Sequence, residues 1–91
     1  MSVVAEGSVE VKNRLGLHLR AASAVAEVAR KFDANVTLVK GRQRVNARSV
    51  TSILMLGASK GTKLKLRAEG PQAREALAAL RELFENRFGE E

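Results

Sequence analysis

Alternation of apolar and polar residues along the chain predicts strands with one buried face at residues 8–12, 36–38 and 62–69. The alternation is most regular in 62–69, where leucine and alanine alternate with charged residues. A turn at 40–42 is followed by residues 43–47, which can return as a further antiparallel strand. Because one face of the 62–69 strand is charged, we expect a sheet that is covered on one side only.

Between these strands, apolar residues recur at helical spacing. Over residues 18–32 they fall at i, i+3, i+4, i+7 and i+10, on one helix face. Ser49 suits the N-cap of a short helix over Val50–Leu56, and Gly57 suits the residue that ends it. Gly70 and Pro71 open a last helix, with Pro71 near its first position. The apolar stripe of that helix is Ala73, Ala76, Leu77, Leu80, Leu83 and Phe84.

The order of elements is therefore β-α-β-β-α-β-α. It predicts an α+β open-faced sandwich, in which a four-stranded antiparallel sheet carries three helices on one face. With 91 residues and no linker-like segment, residues 1–91 are expected to form a single domain.

Composition narrows the classes of function. Sixteen Lys and Arg against ten Asp and Glu give a net charge of +6, which favours an acidic partner. The chain has no cysteine and one histidine, which argues against a disulfide framework and against thiolate or multi-histidine metal sites. We expect no metal and no other cofactor. No apolar run approaches the ~20 residues of a membrane span, and no signal-peptide pattern is present. A cytoplasmic protein without membrane contact is the expectation.

His18 is the strongest candidate for chemistry. It follows Gly16 and stands at the start of the first predicted helix, where free N–H groups and the helix dipole favour phosphate. Arg20 can supply a guanidinium group to phosphoryl oxygens. An imidazole in this position is a suitable nucleophile for phosphoryl transfer. From these residues alone, an exposed histidine with no role remains the alternative.

Ser49 and the helix after it allow two interpretations each. Ser49 is either only a helix cap or also a regulatory site, because a phosphate there would add about −1.5 to −2 charge beside an apolar surface. The helix carries more apolar residues than one buried stripe needs. Either Val50 and Leu54 form an exposed binding flank while Ile53 and Leu56 face the core, or all of these residues and Met55 are buried under the first helix.

Taken together, these residues resemble the histidine-containing phosphocarrier protein (HPr) family of the bacterial phosphoenolpyruvate-dependent phosphotransferase system. Asn13–Ala22 is similar to the family's active-site segment, and Val45–Val50 is similar to the segment around its regulatory serine. Leu56-Gly57, Gly61 and the strand ending in Ala68-Glu69-Gly70 are similar to its C-terminal half. The resemblance covers nearly the whole chain.

The resemblance implies roles for particular residues. His18 accepts a phosphoryl group on Nδ1 from phospho-enzyme I and passes it to an enzyme IIA-type acceptor, with Arg20 facing the phosphate. Ser49 matches the serine that an HPr kinase/phosphorylase modifies in some bacteria. The chain is then a monomeric phosphoryl carrier and not an independent enzyme. The expected partner-docking residues are Leu17, Leu19, Val50, Thr51 and Leu54, with Arg48 added because its charge would attract an acidic partner.

Leu19 and Ala21 depart from the family's sugar-transport members, which commonly have a small residue and a proline at these positions. Ala21 is similar to the nitrogen-related branch, so transport and regulation both stay open. The runner-up function is a small basic nucleic-acid-binding module, which the net charge favours and the absence of Tyr and Trp disfavours. A purely structural or interaction domain is the third possibility.

Overall fold

The computed structural model describes residues 3–90 and has the predicted order of elements. The strands are β1 (Val3–Glu10), β2 (Asn35–Lys40), β3 (Gln43–Asn46) and β4 (Lys63–Gly70). The helices are α1 (Leu19–Arg30), α2 (Val50–Met55) and α3 (Ala73–Glu85), and a 3₁₀ turn follows at Arg87–Gly89. The α+β open-faced sandwich is confirmed.

The strands form one antiparallel sheet in the order β1-β4-β2-β3. The alternation predicted for β4 is confirmed, since Leu64, Leu66 and Ala68 are buried while the charged residues between them are exposed. The buried face joins the apolar stripes of the helices in a core that includes Val25, Leu80 and others. The opposite sheet face is exposed, as expected for a sheet covered on one side. Within residues 3–90, no helix is long and apolar enough to cross a membrane.

Several boundaries differ from the sequence prediction, and those of β1 and α3 have a clear physical basis. β1 starts at Val3 and pairs with β4 over its full length, while residues 11 and 12 lie beyond it. Pro71 precedes α3 instead of lying near its first position, because Gln72 is the N-cap. The Gln72 N–H donates to the Asp33 carbonyl at 3.0 Å, and the Asp33 N–H donates to Gln72 Oε1 at 2.7 Å. This reciprocal pair fixes where α3 begins.

Helix α2 confirms the expected cap and end. Ser49 Oγ accepts a hydrogen bond from the Ser52 N–H at 3.2 Å, and Gly57 has a φ of +60° just after the helix. Ile53 and Leu56 are buried, whereas Leu54 and Met55 are exposed. The alternative in which all the apolar residues of this helix are buried is therefore wrong.

The loop before α1 is held by a close backbone approach. The Leu17 N–H donates to the Ala58 carbonyl at 2.9 Å, so the loop packs on the segment that follows α2. Gly16 has a φ of +72°, and a Cβ added there would lie 2.7 Å from the Ala58 oxygen. Only glycine combines that conformation with that approach. The position at which α1 begins depends on this contact.

Replacing Gly16 with alanine should therefore destabilise the fold more than the same change at Gly41. Gly41 has a φ of +59° but open space around it, so Gly41→Ala reports the left-handed conformation alone, about 1–2 kcal/mol. Gly16→Ala should cost at least about 1 kcal/mol more because of the clash. Urea denaturation of both variants measures the difference, and equal losses would contradict the close approach.

Candidate functional site

His18 is the N-cap residue of α1 and has extended backbone angles. Its Nδ1 accepts a hydrogen bond from the Arg20 N–H at 3.3 Å. The first turn of α1 contains no acidic residue, so no negative charge within the helix opposes its positive end. His18 thus lies where a phosphate group would be stabilised.

The other ring nitrogen of His18 faces a carboxylate. Nε2 lies 2.8 Å from Glu90 Oε2 and 3.0 Å from Glu90 Oε1. An ionised carboxylate only accepts hydrogen bonds, so Nε2 must carry a proton. Nδ1 accepts from a backbone N–H, so Nδ1 must carry a lone pair. The two contacts assign the neutral ring to its Nε2–H form, with a lone pair on Nδ1.

Asn13 connects this pair to the loop before α1. Its side chain is fully buried, and Nδ2 donates to the Gly16 carbonyl at 2.7 Å and to Glu90 Oε1 at 3.0 Å. Both neighbours are acceptors, which fixes the orientation of the amide group. Asn13 therefore holds the loop and the Glu90 carboxylate in one arrangement.

The environment of Glu90 favours its charged form. The hydrogen bond from His18 holds the pKa of the Glu90 carboxyl below its ordinary value. The hydrogen bond from Asn13 and the charges of His18 and Arg20 lower this pKa further, and partial burial opposes them. The carboxylate at Nε2 is thus ionised at neutral pH.

The chain reaches His18 by turning back after α3. Arg87 and Phe88 have φ values of 55° and 56°, in the left-handed region that non-glycine residues rarely adopt. The Phe88 ring packs edge-on against the buried Phe84, with ring centroids 4.9 Å apart. This packing supports the turn that brings Glu90 to the imidazole.

Among the predicted site residues, His18 and Arg20 lie together at the start of α1. The structure does not support the predicted docking role of the Leu17 side chain. Leu17 is 5% exposed and belongs to the core, so its side chain offers no docking surface. The Arg48 guanidinium donates to the carbonyls of Phe32 and Ala34 at 2.9 and 3.2 Å. These bonds tie the half-buried Arg48 to the segment after α1, and its role in docking stays a prediction.

Apart from Val4 on β1, the large exposed apolar side chains of residues 3–90 lie on either side of His18 in sequence and on helix α2. Leu19 is 62% exposed and Met55 is 74% exposed, with Leu15 and Leu54 also exposed. Thr51 is exposed, and Val50 is half-buried. Leu15 and Met55 were not among the predicted docking residues, although each is a large apolar residue beside a predicted one.

Sequence reasoning also missed Glu90 and gave Asn13 no role of its own. Glu90 is 72 residues from His18 along the chain and stands in a charged segment that is typical of solvated surface. No local motif marks it. Within residues 3–90, no three His, Asp or Glu side chains are grouped to hold a metal ion.

This geometry suits a protein that carries a phosphoryl group, and comparison with known proteins identifies the family. Residues 5–86 match the family described as the PTS HPr component phosphorylation site. The chain is 45% identical to phosphocarrier protein HPr of Xylella fastidiosa (strain Temecula1 / ATCC 700964), over 94% of this chain and 97% of that protein. It is 41% identical to phosphocarrier protein NPr of Escherichia coli (strain K12), over 92% of this chain and 94% of that protein.

A solved structure agrees with the sequence matches. The crystal structure of HPr from Thermoanaerobacter tengcongensis superposes with a TM-score of 0.92 at 42% identity, covering 96% of this chain and 98% of that one. A crystal structure of an HPr dimer from the same organism also matches. This chain therefore belongs to the HPr family of phosphocarrier proteins of the phosphotransferase system.

The contact between Glu90 and His18 predicts a titration that can be measured. In His18→Ala the largest cause of the lowered pKa is gone, so the pKa of Glu90 should rise toward its ordinary value. Because the folded-state pKa is lowered, the contact stabilises the protein above the ordinary pKa and is lost as pH falls through the lowered value. Carboxyl-carbon NMR titration of both proteins measures this.

Glu85 is the internal control for that titration. A hydrogen bond from Lys12, and the charge of Lys12, lower the pKa of Glu85 without any contribution from His18. The Glu85 pKa should remain lowered in His18→Ala. An unchanged Glu90 pKa in the variant would show that the contact is absent in solution.

Proposed function

We propose that His18 is the residue that carries the phosphoryl group, accepted from phospho-enzyme I and passed to an enzyme IIA-type acceptor. The observation that carries this proposal is the pair of hydrogen bonds on the His18 ring. They leave a lone pair on Nδ1 at the start of α1 and a proton on Nε2. The imidazole side chain is 29% exposed, so a partner can reach it.

The transfer step needs positioning and charge stabilisation more than acid-base catalysis. The Nδ1 lone pair attacks phosphorus, and the bond from phosphorus to the donor atom breaks with its electron pair. The Arg20 N–H, which donates to Nδ1 in the free protein, becomes available to the phosphoryl oxygens. The exposed Arg20 guanidinium can pair with the same oxygens. The carrier itself turns over no substrate, consistent with a protein that is not an independent enzyme.

Partners would dock on the apolar surface around His18, formed by Leu15, Leu19, Leu54 and Met55 together with Thr51 and Val50. A carrier must release each partner after transfer, which requires a small interface. Apolar side chains beside a positively charged helix start suit such an interface with acidic proteins. The Leu17 side chain takes no part in it because it is buried.

The two departures from the sugar-transport pattern differ in what a partner can contact. Ala21 is fully buried, whereas Leu19 is exposed next to His18. If docking of partners distinguishes the two branches, Leu19 is therefore the one of these two residues that a partner can contact directly. We propose a role in the nitrogen-related branch, and the sugar-transport role is the alternative. The type of enzyme I that phosphorylates the protein distinguishes the two.

Ser49 is proposed as a regulatory site for an HPr kinase/phosphorylase. Its hydroxyl group caps α2 and donates to Ser52 Oγ at 3.0 Å. A phosphate on Ser49 would place negative charge at the N-terminus of α2. The same helix carries the exposed Leu54 and Met55. Desolvation of that charge would weaken docking on the apolar surface.

We further infer one domain over 1–91, a monomer, and a cytoplasmic location. The nucleic-acid alternative is disfavoured by the arrangement of charge on the open sheet face. Lys63 lies opposite Glu10 and Arg67 lies opposite Glu6 in the register of β1 and β4. These two acidic residues offset part of the positive charge that a nucleic acid would require, while Lys65 between them lies opposite Ser8.

Phosphorylation at His18 is tested by incubating the protein with phosphoenolpyruvate and either a sugar-type or a nitrogen-type enzyme I. Intact mass should show one added phosphoryl group that is lost in acid and is absent in His18→Ala. Circular dichroism checks that the variant is folded. No gain with either enzyme would overturn the proposal, and the enzyme that works identifies the branch.

Two substitutions at Ser49 separate capping from regulation. Ser49→Asp keeps an N-cap oxygen and adds charge, so stability should change by less than about 0.5 kcal/mol while transfer from enzyme I slows severalfold. Ser49→Ala loses the cap, so stability should fall by about 1 kcal/mol with little change in transfer. Thermal melts and transfer rates measure both, and equal transfer rates in the two variants would contradict regulation at this site.

A further inference from the structure

The Glu90 carboxylate is the feature of the site that neither the sequence motifs nor the proposed transfer step accounts for. Both of its oxygens lie within 3.0 Å of His18 Nε2, and its side chain is only 11% exposed. The groups that contact or influence it come from three segments: the loop (Asn13), the start of α1 (His18 and Arg20) and the turn after α3.

The placement of Glu90 is fixed by several independent contacts. Asn13 Nδ2 donates to Glu90 Oε1 from a buried position, so the carboxylate is held even without the imidazole. The chain reaches this position through Arg87 and Phe88, both in the left-handed region, with Phe88 packed on Phe84. Backbone in this region is retained when surrounding contacts determine it. Here the contacts of Asn13 and Phe88 hold Glu90 beside the His18 imidazole.

We propose that Glu90 is a positioning residue for phosphoryl transfer, whose carboxylate keeps the proton on His18 Nε2 and so keeps Nδ1 as the nucleophile. The inference rests on the proposed role of His18. A carboxylate that accepts from one imidazole nitrogen fixes the tautomer and the orientation of the ring. Glu90 does this from the side of the ring opposite Nδ1, so it leaves the nucleophile accessible.

The same contact stabilises the product of the step. When Nδ1 takes the phosphoryl group, its lone pair becomes the new N–P bond and the Nε2 proton stays in place. The ring then carries a positive charge, which the Glu90 carboxylate faces. On transfer to the acceptor, the N–P bond breaks and its electron pair returns to Nδ1. No proton has to enter or leave the ring in either direction.

The first test observes the ring directly. His18 is the only histidine in the sequence, so ¹⁵N-histidine labelling gives signals of this ring alone. At a pH where the ring is neutral, the wild type should show an Nε2–H proton that is protected from exchange with water. Glu90→Ala should lose this signal to fast exchange, and Glu90→Gln should keep a weakened one, because its amide oxygen still accepts. Glu82→Gln, at an exposed position of α3, is the matched control and should behave like the wild type.

The second test measures transfer from enzyme I in the same four proteins. A charge-assisted hydrogen bond in a partly exposed site predicts a loss of about tenfold in rate for Glu90→Ala. Glu90→Gln should lose less, and Glu82→Gln should lose nothing. Thermal melts distinguish this result from a general loosening of the fold, which would lower the melting temperature as well as the transfer rate.

The outcomes separate the two proposals. A protected Nε2–H in Glu90→Ala, or an unchanged transfer rate in that variant, would overturn the role of Glu90 and leave His18 as the carrier. A wild-type protein that accepts no phosphoryl group would overturn the function and the positioning role together, whatever the NMR spectrum shows. Loss of both the signal and the rate in Glu90→Ala, with the melting temperature kept, supports the proposal.

Discussion

The amide group of Asn13 is the interaction on which the arrangement of the site depends. It is buried and donates to the Gly16 carbonyl and to the Glu90 carboxylate, which come from opposite ends of the described chain. A hydrogen bond to a charged group contributes about 1.5–3 kcal/mol. Without these bonds, the contact between His18 and Glu90 would lose the buried donor that holds the carboxylate in place. The imidazole would then keep its place at α1 but lose its fixed orientation.

The site is rigid on one side and open on the other, and the fold produces both properties. The loop rests on Ala58 through Gly16 and Leu17, and the turn after α3 rests on Phe84 through Phe88. These contacts hold the Nε2 side of the ring against the protein. The His18 side chain is still 29% exposed, and the neighbouring Leu19 is exposed. A group carrier needs this combination, because its nucleophile must be oriented while successive partners reach it.

The electrostatics of the site follow the same division. The positive end of α1 and the Arg20 guanidinium lie on the side where phosphate would sit, with no acidic residue in the first turn. The negative charge of Glu90 lies across the ring, where its pKa is lowered by the His18 hydrogen bond. The carboxylate contacts Nε2 and the helix start contacts Nδ1, so the carboxylate can stabilise a charged ring through the nitrogen that does not take the phosphoryl group. The net charge of +6 adds attraction for acidic partners.

The sequence by itself determined the order of elements, the one-sided sheet, the caps at Ser49 and Gly57, and the position of His18 at a helix start. These features depend on periodicity and on local backbone chemistry, which neighbouring residues specify. Only the tertiary structure decided which imidazole nitrogen is free, that Leu17 and Arg48 are used inside the protein, and that Met55 is exposed. It also brought Glu90 to His18 across 72 residues. Contacts of this kind depend on how the helices and loops pack, and no local pattern in the chain records them.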